Sequence, residues 1–145
     1  MASQNFTNLA SHLANASIDF SSVTIKALLI NETIPSEANL DAWVDRADVT
    51  NEHAISGNYV AGGFACTRVL EALDTGNNKI SVTITPTNTP VFSNATISSK
   101  GAIIYVSTGV EANDLLIGWV DFGSTITSTN GDYTVTFTDT LDIMV

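Results

Sequence analysis

The chain has 145 residues, 44% of them apolar and only 14% charged, with 15 acids against 5 bases and a formal net charge of −10. One domain of this length can bury a core without disulfides or metals, and its single cysteine, Cys66, excludes an intrachain bridge. The bases Lys26, Arg46, Arg68, Lys79 and Lys100 stand apart, so no cluster exists to neutralise nucleic-acid phosphates or grip an anionic membrane.

Phe6, Leu9 and Leu13 recur at helical spacing, with Ser3 or Asn5 as N-caps, and predict a short amphipathic helix over 4–15. Val23 to Ile30 opens with alternation and ends as a continuous apolar run, the pattern of a central strand. After Pro35, Ser36 can cap a second short helix that places Leu40, Trp43, Val44 and Ala47 on one face. From Gly57 onward the pattern is β. Tyr59-Val60 and Phe64 to Leu70 read as extended, and the turn Asp74 to Asn78 leads into the alternating strand Ile80, Val82, Ile84. Val91-Phe92, Ala95 to Ile97 and Ala102 to Val106 follow as short strands, then Leu115 to Phe122. Asn130-Gly131 marks a tight turn before a last strand in which Tyr133, Val135 and Phe137 alternate with threonines. Seven or eight strands without long helices between them predict one mainly β domain over 1–145, an antiparallel β-sandwich of jelly-roll type, with one or two short helices in its N-terminal third.

The N-terminal Met1 to Asn5 lacks the basic-then-apolar order of a signal peptide, and no apolar stretch approaches the ~20 residues of a membrane span. The expectation is synthesis in a cytoplasm, with no membrane partner.

Catalytic chemistry leaves little trace. A nucleophilic triad needs a base beside its nucleophile, and the only histidines are His12 and His53, with no G-x-S-x-G elbow. One cysteine and two distant histidines cannot supply a zinc set. Asp74 to Asn78 lacks the closing bidentate acid of a calcium loop. Gly62-Gly63 lacks the frame of a phosphate loop and reads as a backbone bend. Cys66 lies in an apolar run and reads as a small core residue. The sequence thus predicts no enzymatic activity, no metal and no cofactor. Paired carboxylates for sugar hydrolysis stay open in so acidic a chain.

What remains is contact with other proteins. Residues 1–20 and 31–56 are the two candidate arms. Their apolar side chains Phe6, Leu9, Leu13, Leu40 and Trp43 are the candidate interface residues. Trp43 carries two readings: an anchor that fixes its helix to the sheet, or a hot spot for a partner.

Four pieces carry a resemblance: Ile18-Asp19-Phe20 with Val23 to Leu29; Asp48 to Glu52 with Gly57 to Gly63; Asn94 to Ile97 with Gly101 to Tyr105; and Leu115 to Gly123 with Gly131 to Phe137. Their order resembles small structural proteins of tailed bacteriophages and prophages, and the similarity spans nearly the whole chain. It implies a virion component, and within that group capsid decoration (cement) proteins offer the nearest likeness. The implied partner is the major capsid protein, met on the outer capsid surface by a homo-oligomer of this chain. A tail or head–tail connector component is the alternative within the class. A carbohydrate- or receptor-binding β-sandwich module is the alternative outside it.

Overall fold

In the computed structural model, which describes residues 2–144, the chain is mainly antiparallel β. Chain order is β1 (Ala2–Asn5), α1 (Leu9–Ala14), β2 (Ile25–Ile30), α2 (Glu37–Ala42), β3 (Phe64–Leu70), β4 (Lys79–Pro86), β5 (Val91–Val106), β6 (Leu116–Thr134) and β7 (Asp139–Met144). Single 3-10 turns cover Arg46–Asp48 and Glu111–Asn113. All seven strands share one hydrogen-bonded sheet in the order β1-β6-β5-β2-β3-β4-β7.

The central strands explain the apolar runs. Along β2, Ile25, Ala27 and Leu29 face the main core, whereas Leu28 and Ile30 face a second cluster on the opposite side. β5 repeats the pattern, with Ala102 and Ile104 in the main core and Ile103 and Tyr105 behind it. A strand covered on both faces needs no polar alternation. The main core also gathers Val82 and Ile84 from β4, Ile117 and Val120 from β6, and Leu141 from β7. Side chains from opposite ends of the strand order meet there, so the sheet curls around them.

β5 and β6 form the longest ladder, from Tyr105↔Leu116 to Val91↔Thr134, interrupted by four register shifts. Only part of it has further neighbours: β2 pairs with Ile25↔Val106 through Ile30↔Gly101, and β1 pairs with 118–121. The remaining two-stranded ribbon bends at its irregularities and returns Phe92, Ala95, Ile97 and Tyr133 to the main core.

The helices and several strand limits differ from expectation. Residues 2–5 are strand β1, paired with β6, so α1 is shorter than the predicted 4–15. Its N-cap is Asn8, without a side-chain cap bond, in place of Ser3 or Asn5. Ser36 does cap α2: its hydroxyl accepts from the Asn39 N–H, and the Asn39 side chain returns a bond to the Ser36 N–H. Helix α2 stops at Ala42, and Trp43 is extended at ψ 128°, so Trp43, Val44 and Ala47 do not share a helix face with Leu40. Asp45 and Asp48 instead bind the backbone N–H groups of Ala47 and Val44, which starts the following 3-10 turn. The three short pieces expected between 91 and 106 are one strand, kinked where Asn94 takes φ 52°. Asn130-Gly131 is an irregularity inside β6, with Asn130 at φ 48°, and not a hairpin turn. Val135 and Phe137 lie beyond β6 in a connecting segment, where they still enter the core.

Candidate functional site

Among the described residues, the two ends of the strand order, β1 and β7, each pair on one side only. They approach across a cleft of about 240 Å³ at which α1 forms the floor. Phe6, Leu9 and Leu13 line it from one side, Leu141 and Ile143 from the other, with Asn5, Thr7 and Asp142 at its lips. The curled sheet therefore carries an apolar seam beside its β7 edge.

Hydrogen-bond alternation gives the polarity of that seam. The Ser81 carbonyl accepts from the Glu71 N–H, on the β3 side of β4. Ser81 stands opposite Asp142, so this pair is not hydrogen-bonded across the β4–β7 ladder. Asp142 accordingly turns its N–H and C=O away from β4, and Thr140 and Met144 do the same by alternation. On the other lip, Phe6 donates its N–H to the Ile117 carbonyl at 3.1 Å, so neighbouring Asn5 turns its backbone groups outward. Side chains alternate as well. Leu141 and Ile143 point to the cleft side, while Asp142 points to the outer face, where it takes the Lys79 ammonium at 2.7 Å and the Ser81 hydroxyl at 2.6 Å. Those two bonds hold the Asp142 carboxyl below the usual carboxylate range, the Lys79 bond first.

The five predicted interface residues divide between two places. Phe6, Leu9 and Leu13 come together at the seam. Leu40 and Trp43 are buried on the opposite face, where the segment after β2 covers Leu28, Ile30, Ile103, Tyr105, Leu116 and Trp119. Phe6 reaches both: it lines the seam and stacks on Trp43, ring centroids 6.3 Å apart. Of the five, only Leu13 is half-exposed; the rest are buried within the chain itself. In the isolated chain Phe6, Leu9, Leu40 and Trp43 are each desolvated by their own sheet. For Trp43 the anchoring role is the one the geometry displays. Leu141 and Ile143 escaped the sequence reading. Their signal was the alternation Leu141, Asp142, Ile143, Met144, too brief to stand out at the chain's end.

The cover opposite the seam is pinned by polar bonds. Arg46 Nη1 donates to the Tyr105 hydroxyl at 3.3 Å, and that hydroxyl donates to the Gly62 carbonyl at 2.6 Å. The Arg46 guanidinium also lies 3.6 Å from Asp114, tying the two 3-10 turns together. On the main-core side, Tyr59 is fully buried; its hydroxyl accepts from the Leu29 N–H and meets Glu52 at 3.3 Å. Burial first, and the Glu52 carboxylate second, push the Tyr59 phenol far above its ordinary value. The Tyr59 phenol therefore stays neutral. The Cys66 thiol, packed against the main core, is pushed up to about 12 by burial, which keeps it a neutral packing group.

His12 sits on α1 behind the seam, buried, with no hydrogen-bond partner for Nε2 among the described residues. Burial lowers its pKa from the ordinary 6.5. The unfolded chain therefore takes up this proton first, and stability is lost as pH falls from 6.5 through the folded value. Asp19, Asp74 and Asp142 have pKa values below 3.8, so their contributions disappear only at lower pH. Urea unfolding between about pH 6.5 and 4 is expected to show falling stability in the parent and a flatter profile in His12→Leu. Equal slopes in the two proteins would assign the loss elsewhere.

No family model, curated protein or solved structure matches this chain.

Proposed function

We propose that this protein is a structural component of a tailed-phage particle, binding the outside of the capsid in symmetric copies and stabilising the shell. The observation that carries the reading is the seam: an apolar cleft flanked by two free strand edges, a surface suited to polypeptide contact. The resemblance to small phage structural proteins supplies the class of assembly. Composition supports it too, since the net charge of −10 keeps the free protein soluble and steers it to a basic surface. Large apolar side chains stand exposed around the roll, with Ile55 and Met144 each at 68%. Isolated exposures of this kind are ordinary, and their value here is additive. Each docked copy adds a modest contact over a joint between capsid subunits. Copies held in fixed geometry then gain by multivalency, which can raise avidity by ~10²–10⁴ without any new type of contact.

Mass analysis and cryo-microscopy of purified particles from the phage or prophage that encodes the chain test this directly. Surface density in copies proportional to the capsid subunits is the expected result. About a dozen copies in a ring would move the protein to the connector or tail. Particles without the chain would overturn the proposal.

A further inference from the structure

We propose that the seam between α1 and β7 receives an extended segment of a partner polypeptide, one in which apolar and basic residues alternate. The inference deepens the virion reading and rests on it for the partner's class, but its geometry is independent. Three features point to the same occupant. First, β7 offers outward N–H and C=O groups at Thr140, Asp142 and Met144, a template for one more antiparallel or parallel strand. Second, the space beside that edge is apolar, floored by Leu9 and Leu13 and walled by Leu141 and Ile143. A strand laid along β7 would turn every second side chain into this space. Third, its remaining side chains would emerge on the outer face beside Asp142, while Asp41 of α2 stands behind the Thr7 lip, whose hydroxyl it accepts at 2.7 Å. Lys79 is the single base paired there, and the chain as a whole carries ten more acids than bases. Basic residues at those positions are the electrostatic complement.

A second copy of this chain fits less well. Its own edge β7 would bring Asp142 against the same acidic lip, and like charges across an interface disfavour pairing.

The test uses the full chain, labelled for amide NMR, and a synthetic peptide of alternating lysine and valine. A glutamate–valine peptide of the same length is the control. The expected result is saturable binding of the basic peptide, with slowed hydrogen exchange at the Thr140, Asp142 and Met144 amides. Thr140→Pro removes one outward donor. Because that N–H does not serve the β4 ladder, the fold should survive, and affinity should drop at least tenfold. Asp142→Asn should weaken binding less and reduce its salt dependence. The spectrum of each variant reports folding separately from binding. Equal binding of the acidic peptide, protection at other amides, or full affinity in Thr140→Pro would overturn the inference. So would protection of β7 without peptide that scales with protein concentration, the mark of self-pairing. Failure here with the chain present on particles would leave the virion reading standing; peptide binding with particles lacking the chain would do the reverse.

Discussion

Gly63→Ala is expected to lower the unfolding free energy by about 2–6 kcal/mol, a large share of the ~5–15 kcal/mol that holds a domain folded. Two penalties combine. The backbone at Gly63 takes φ +69°, a region that L side chains rarely adopt. A methyl group there would also stand 1.9 Å from the Ala27 carbonyl oxygen and 2.7 Å from the Leu28 Cα. Those atoms belong to β2, the middle strand of the sheet, fixed by pairing with both β3 and β5. Backbone held on two sides cannot retreat as a flexible side chain would. The conflict falls where β3 begins, so it also threatens the Ala27↔Phe64 register. Urea unfolding, or expression yield if the variant fails to accumulate, measures the effect. An alanine variant within 1 kcal/mol of the parent would mean that this junction is looser than described.

Trp43→Ala is expected to cost about 3–5 kcal/mol in the isolated protein. Trp43 is 8% exposed and closes the second cluster, stacked on Phe6 at an interplanar angle of 26°. Its removal opens a cavity between the cover segment and the outer face of β2, β5 and β6. The cover is also pinned by Leu40 and Val49, by the Arg46 bonds, and by backbone bonds from Thr7 to the Leu40 carbonyl and from Leu116 to the Val44 carbonyl, so it is fixed in place and cannot collapse into the space. Phe6→Ala should be strongly non-additive with it, since both truncations empty the same stack. Chemical denaturation of the two single variants and the double variant checks this. A Trp43→Ala protein of parental stability would favour a hot-spot role for a partner over an anchoring one.

Much of the β architecture was legible because its physics is local. Alternation in Ile80 to Ile84 and the Asp74 to Asn78 turn mapped directly onto β4 and its entry. The continuous apolar runs of β2 and late β5 announced burial on both faces. Ser36 announced α2, because a capping box is written within four residues. What stayed hidden depends on distant chain. Strand β1 reads as the start of a helix because Phe6, Leu9 and Leu13 do share a face; only β6 makes residues 2–5 extended. Trp43 sits at helical spacing from Leu40, yet the cluster formed by Phe6 and Trp119 draws it out of the helix. The long β5–β6 ladder hides behind its own bulges, where Asn94 and Asn130 imitate turn signals. The seam could not be read at all from local pattern. It exists because the curled sheet brings residues 5–13 to residues 141–143.

The pairing of β1 with β6 sets a clock on biosynthesis. Gln4 must find Trp119, whose indole N–H donates to the Gln4 side chain across 115 residues of sequence. A ribosome adding ~5–20 residues per second emits that intervening chain in roughly 6–23 s. During this interval the first strand has no partner, and the outer face of β2 has neither Trp119 nor Leu116 beside it. The sheet therefore gains its β1 edge only after β6 has left the ribosome. Growing chains stalled before residue 116 are expected to engage chaperones, and those released after residue 134 to escape them.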